Sequence, residues 1–105
     1  KQPVRLEEYL QGKRLENLAK QEHLRWNAFH FASGWVTWEL SETTGAKNAK
    51  DSVNKRHACL VPWERLADVT RRFSQEPSFE ELDFMQVRNI SKILEASGYI
   101  VYKAD

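Results

Sequence analysis

Apolar and small side chains recur at Leu15, Leu18, Ala19, Trp26, Phe29 and Ser33, with Glu22 and His30 on the same spacing. A period of about 3.6 residues marks an amphipathic helix from about Lys13 to Ser33. No Gly or Pro interrupts it, and Gly34 follows as a left-handed stop. The pattern then switches to period 2. Val36, Trp38 and Leu40 point one way and Trp35, Thr37 and Glu39 the other, which predicts a short strand. From Ser41 to Arg56 the apolar signal nearly vanishes. That predicts a long loop, functional or mobile, ordered at most by a ligand or a neighbour and dispensable between Thr44 and Ser52. His57 to Trp63 is an apolar run that should be buried, and Pro62 permits a helix to start just after it. Leu66 and Val69 should face inward on a short helix from Glu64 to Phe73.

Ser78 followed three residues later by Glu81 is a capping box, in which the hydroxyl accepts from the backbone and the carboxylate reaches back. It opens a second long helix with a broad apolar stripe of Phe79, Leu82, Met85, Ile90, Ile93 and Leu94, ended by Gly98. Tyr99 to Tyr102 reads as a closing strand, able to pair with the strand near Trp35 to Leu40. Residues 1–12 form a lead-in with Val4, Leu6, Tyr9 and Leu10 as its apolar anchors, and residues 13–105 form one domain. The expected fold is mainly α with a small antiparallel β element: two long packed helices and one short helix. Trp26 should lie largely buried between the two long helices.

At 105 residues and 41% hydrophobic, the chain supports one domain with a modest core. Sixteen Lys+Arg against fifteen Asp+Glu leave a net charge of +1, without the basic excess of an electrostatic nucleic-acid binder. The one local positive excess is Lys47, Lys50, Lys55 and Arg56 against Glu42 and Asp51 in the 41–56 segment. The single Cys59 excludes an intrachain disulfide and a Cys-rich zinc site. No apolar run approaches the roughly 20 residues of a membrane helix. The N-terminus lacks the apolar core of a secretory leader. A cytoplasmic protein without membrane insertion is expected, and the start at Lys1 fits a domain cut from a longer chain.

His23 and His30 are two helical turns apart, whereas zinc ligands on a helix sit one turn apart, so no metal site is expected, nor any cofactor. His57 and Cys59 are the base and nucleophile that a small enzyme would use. A thiol inside an apolar run is ordinarily a small inert hydrophobe, and no catalytic motif or phosphate loop is present, so no catalytic residue is assigned. Trp26, Trp35, Trp38 and Trp63 are large core side chains in the ordinary case. The alternative is a stacking platform for a flat ligand such as a nucleobase, with Arg25, Arg56 or Arg88 as its cation.

His23-Leu24-Arg25-Trp26, then Gly34-Trp35, then the block from His57 to Leu66 (His-Ala-Cys-Leu-Val-Pro-Trp-Glu-Arg-Leu), then Gly98-Tyr99 follow in an order that resembles the ryanodine-receptor repeat, or RyR, domain. The likeness runs from about Leu18 to Tyr102. Leu82-Asp83 followed by Val87-Arg88 is similar to the acidic-then-basic element that opens the family's last helix. The chain departs from the family's usual residues at Leu24, Val36-Thr37 and Ala58.

The resemblance implies a small, mainly helical, non-enzymatic binding or regulatory module, with nucleotides among its ligands. Such repeats occur in tandem pairs in the cytosolic part of the channels. They also occur singly in bacteria and phages, and this single copy looks bacterial or phage-like. Its framework would be His23, Trp26, Gly34, Leu60, Pro62, Gly98 and Tyr99. A site for a small anionic ligand or nucleotide would draw on Arg25, Trp35, Arg56, His57, Trp63 and Arg88. A lone copy invites a symmetric pair with a second copy, or a neighbouring domain of a longer chain, through the surplus aromatics Trp38, Phe73, Phe84 and Tyr102. The competing readings are a small enzyme using His57 and Cys59, and a nucleic-acid binder using the 41–56 loop. The balanced charge and the missing catalytic spacing disfavour both.

Overall fold

Two long helices carry the molecule, and the short elements between them decide what their faces meet. The computed structural model describes residues 3–99, 101 and 102. In chain order the elements are Pro3–Val4 (β1), Leu6–Tyr9 (α1), Gly12–Ala32 (α2), Val36–Thr37 (β2), a 3-10 turn Leu40–Glu42, Lys50–Asp51 (β3) and Arg56–His57 (β4). A 3-10 turn Trp63–Arg65, Leu66–Phe73 (α3), Phe79–Ala96 (α4) and Val101–Tyr102 (β5) complete it. The fold is mainly α with a small β element.

The helix ends follow their local chemistry. α2 stops where Gly34 adopts φ +89, and α4 stops before Gly98 at φ +83, a region open to glycine. Ser78 Oγ accepts from the Glu81 N–H at 3.1 Å. Only that half of the capping box forms, because the Glu81 carboxylate turns to Arg88 at 3.0 Å.

The buried row of α2 is Leu15, Ala19, His23 and Asn27, one residue per turn. Leu18 and Phe29, expected inward, are 37% and 62% exposed. Two polar residues take the inner row because both donate to one carbonyl: His23 Nε2–H to Val61 O at 2.7 Å and Asn27 Nδ2–H to the same oxygen at 3.0 Å. Hydrogen bonding removes most of the penalty of burying them. α3 places Leu66 and Val69 fully inside, as the spacing predicts.

The strands pair differently from the expectation. β2 runs parallel to β4, and β3 lies antiparallel on the other side of β4, giving the order β2-β4-β3. β5 pairs with β1, so the strand at Val36–Thr37 and the closing strand never meet. Val36 N–H instead donates to Lys55 O at 3.0 Å and Trp38 N–H to His57 O at 3.1 Å.

The 41–56 segment is a second correction. It is not a loose loop: it contains β3, Thr43 is fully buried, and Ala49 belongs to the core. Arg72 Nη2–H donates to Thr43 O at 2.6 Å and fastens the segment to α3. Deleting Thr44 to Ser52 would therefore remove a strand and a core residue.

The core cluster is Ala49, Ala58, Cys59, Val61, Leu66 and Val69, with Trp26, Leu40, Trp63, Phe73 and Phe79 packed against it. All of it sits around α3 and β4. The molecule is elongated, 53 × 26 × 23 Å with a radius of gyration of 16.4 Å, against about 13 Å for a compact domain of this size. Away from the core, Leu6, Leu10, Leu18, Val87, Ile90 and Leu94 line an apolar groove of about 460 Å³. The stripe of α4 is wider than its neighbours cover: Leu82, Met85, Ile90 and Ile93 stay exposed. The aromatics expected to face a second copy differ in how far they are exposed. Trp38 is buried, and Phe73 and Phe84 are half-buried. The side chain of Tyr102 lies outside the described residues. No helix among the described residues is long and apolar enough to cross a membrane.

Candidate functional site

All three histidines of the chain surround Trp26. His23 stacks on its ring at 5.8 Å, His30 lies tilted at 4.1 Å, and His57 meets it edge to face at 5.0 Å. His23 and His30 flank Trp26 because they stand three and four residues from it on α2, one helical turn either way. His57 arrives on β4, brought across by its pairing with β2. The ring contacts continue outward. Trp35 turns back after Gly34 and edges His30 at 5.7 Å. Trp63 edges His23 at 6.3 Å and Phe84 at 5.8 Å. Trp26 itself is half-buried, with one face forming a wall of an open cleft.

That cleft has a volume of about 190 Å³ and is lined by His23, Trp26, His57, Cys59, Leu66, Phe79, Leu82 and Asp83. Backbone groups fix how each imidazole presents itself. A carbonyl only accepts, so His23 must donate from Nε2 to Val61 O. His23 Nδ1 then faces Asp83 Oδ2 at 3.4 Å. His30 donates from Nδ1 to Trp26 O at 2.9 Å. His57 Nδ1 accepts from the Cys59 N–H at 3.0 Å, which leaves its proton on Nε2. Burial, followed by the positive fields of His30, Lys50 and His23, pushes the His57 pKa down to about 4, so the ring is neutral at pH 7. Burial and the nearby Asp83 carboxylate push the Cys59 thiol up to about 12. The cleft thus offers a neutral imidazole that donates, a thiol that keeps its proton, one carboxylate and aromatic walls.

Of the residues expected to bind a ligand, the structure brings His57 into this cleft, sets Trp63 one ring away from it, against His23, and Trp35 two rings away, behind His30. The arginines are elsewhere, each held by a carboxylate. Arg25 donates to Glu22 at 2.9 Å beside the apolar groove. Arg56 donates to Asp51 at 2.7 and 3.0 Å and lies over Trp38. Arg88 donates to Glu81. Asn54 and Arg56 together hold the Asp51 carboxyl down at about 2. Among the expected framework residues, His23 and Leu60 are buried, Trp26 is half-buried, and Gly34 and Gly98 use their left-handed backbone. Pro62 is exposed at the start of the Trp63–Arg65 turn, and Tyr99 stands 66% exposed instead of packing.

The cations of the 41–56 segment do not make one basic face. Lys50 Nζ lies over Trp35 at 5.4 Å, Lys55 Nζ donates to Ser33 O at 3.0 Å, and Arg56 belongs to Asp51. Among the described residues no group of three or more His, Cys, Asp or Glu is placed to hold a metal ion.

Three site residues escaped the sequence reading: Asp83, His30 and Lys50. Lys50 is the register partner of His57, so both side chains leave the same face of the small sheet. The acidic-then-basic element of α4 contained Asp83 but could not show that it faces His23. A family model described as RyR domain matches residues 2–95. No curated protein and no solved structure matches the chain.

Proposed function

The chain belongs to the RyR domain family, and from that premise we propose that it is a non-catalytic binding module of the cytoplasm whose ligand is a nucleotide or a similar small anion carrying a flat ring. The observation that carries this reading is the cleft beside Trp26, where ring faces and hydrogen-bonding groups converge. Its 190 Å³ falls below the roughly 300–1,000 Å³ of pockets that enclose a whole drug-sized ligand. It holds one ring system, and sugar and phosphate stay outside. Lys50, on the same sheet face as His57 and beside Trp35, is the cation this reading assigns to the phosphate.

The enzyme reading loses support in the same geometry. The His57 nitrogen nearest Cys59 already accepts the backbone N–H, and the thiol stays protonated at neutral pH. The scatter of Lys50, Lys55 and Arg56 weighs against a nucleic-acid face.

A thermal-shift and tryptophan-fluorescence panel of mono-, di- and cyclic nucleotides tests the proposal. Ligand at a hundred times its Kd adds about 2.7 kcal/mol to the folded state, a rise of several degrees in Tm for a domain of this size. Lys50→Ala should weaken binding of the phosphorylated members and leave the free nucleoside unaffected. A panel in which neither Tm nor fluorescence moves overturns the reading.

A second reading has its own observation. The groove lined by Leu6, Leu10 and Leu18 with Val87, Ile90 and Leu94, flanked by the exposed stripe of α4, is a surface suited to a second copy of the chain. A stable pair needs about 1,200 Å² or more of total buried area. Light scattering at micromolar concentration should return twice the chain mass. A mass of one chain, unchanged on tenfold concentration, rules the pair out.

A further inference from the structure

We propose that the ring this cleft selects is guanine, recognised by Asp83 and His57. The inference rests on the nucleotide reading above and adds to it which base is chosen.

Among the described residues, the one acidic side chain lining the cleft is Asp83. An ionised carboxylate only accepts hydrogen bonds, and it does so best from two adjacent donors in a fork. Oδ2 faces His23 Nδ1 at 3.4 Å, and Oδ1 has no hydrogen-bond partner among the described residues. The second polar group is His57. Its Nδ1 is committed to the Cys59 N–H, so the edge it offers a ligand is the Nε2–H donor. A matching ring edge must present two neighbouring N–H groups to Asp83 and a carbonyl oxygen to His57.

Guanine has that edge, with N1–H and the 2-amino group side by side and O6 next to them. Adenine would turn the lone pair of N1 towards the carboxylate, and cytosine that of N3. Uracil offers one N–H flanked by two carbonyl oxygens that the carboxylate repels. Trp26 and Phe79 supply aromatic walls for any of the four, so stacking does not discriminate and the polar pair does. Lys50 then meets the phosphate as before.

Calorimetric titration of the whole chain with GMP, IMP and AMP tests this. IMP keeps O6 and N1–H but lacks the 2-amino group. GMP should bind at least about tenfold tighter than either, the usual discrimination of a bidentate base contact. Asp83→Asn should erase the gap between GMP and AMP. Because Asp83 also faces His23, the fold of that variant is checked by circular dichroism. If it does not fold, the order of the three nucleotides on the unaltered protein decides. AMP binding as tightly as GMP, or a gap that survives in a folded Asp83→Asn protein, overturns the guanine assignment and leaves the nucleotide reading standing. Absence of binding by all three at millimolar concentration overturns the guanine assignment, and silence of the full nucleotide panel overturns both.

Discussion

Alanine at both His23 and Asn27 is expected to destabilise the protein by more than the two single replacements added together. Both side chains donate to the buried Val61 carbonyl, at 2.7 and 3.0 Å. Either one alone keeps that oxygen satisfied, whereas losing both leaves an acceptor inside the protein without a partner. His23→Ala also removes the stacking on Trp26 and the group facing Asp83, so it should cost about 2–3 kcal/mol. Asn27→Ala should cost about 1 kcal/mol or less, because the same change deletes Asn27 Oδ1, a buried acceptor with no partner. The double variant should add about 1–2 kcal/mol of coupling. The total approaches the lower bound of about 5 kcal/mol for the stability of a small domain. Urea unfolding of the four proteins measures the cycle. Additivity within about 0.3 kcal/mol would show that the carbonyl does not depend on this pair.

That clamp also explains which face of α2 could not be read from the sequence. The apolar period was correct for the existence and ends of the helix, since Gly34 and the absence of internal breakers are local signals. The inner face was set by a carbonyl 38 residues away from His23, and a polar pair at positions 23 and 27 gives no hydrophobic signal. The same holds for the segment from Ser41 to Arg56. Its anchors are Thr43 and Ala49, small residues that look like loop in any window, yet both are buried. Alternation at Trp35 to Leu40 could mark a strand but not its neighbour, because pairing depends on where the chain returns. It returns at Arg56–His57.

In the site, the legible residues were the rare ones. Histidine and tryptophan stand out in a short chain, and the fold links His57, Trp35 and Trp63 through ring contacts to the region around Trp26. The arginines were less informative, since each had a carboxylate close enough to bind it: Glu22 for Arg25, Asp51 for Arg56, Glu81 for Arg88. Asp83 and Lys50 are ordinary charged residues in ordinary positions. Only the crossing of α4 over His23, and the register of β3 against β4, give them neighbours that matter.

Trp26→Ala is expected to cost about 3 kcal/mol, the lower end for a tryptophan, because the ring is half-buried at the cleft and not enclosed. Its second effect is on acid stability. The His57 pKa is about 4 in the folded protein against 6.5 for the free side chain, with burial as the first cause. Between those values the unfolded chain binds more protons than the folded one, so stability rises with pH across the window. The contribution is complete above about pH 6.5 and disappears as pH falls to about 4. A shift of this size corresponds to about 3 kcal/mol, reduced to about 2 kcal/mol because the ring is partly open to solvent. Removing the Trp26 ring, 5.0 Å from His57, lets water reach the imidazole and raises its pKa towards 6.5. The drop in stability expected of the parent protein between pH 7 and pH 5 should therefore flatten in Trp26→Ala and persist in Trp26→Phe, which keeps an aromatic wall. Asp51, held at about 2, titrates below this window and does not mask the effect. Proton NMR of the His57 ring reports the titration directly. If His57 still titrates near 4 in a folded Trp26→Ala protein, the fields of His30, Lys50 and His23, not burial, hold it neutral.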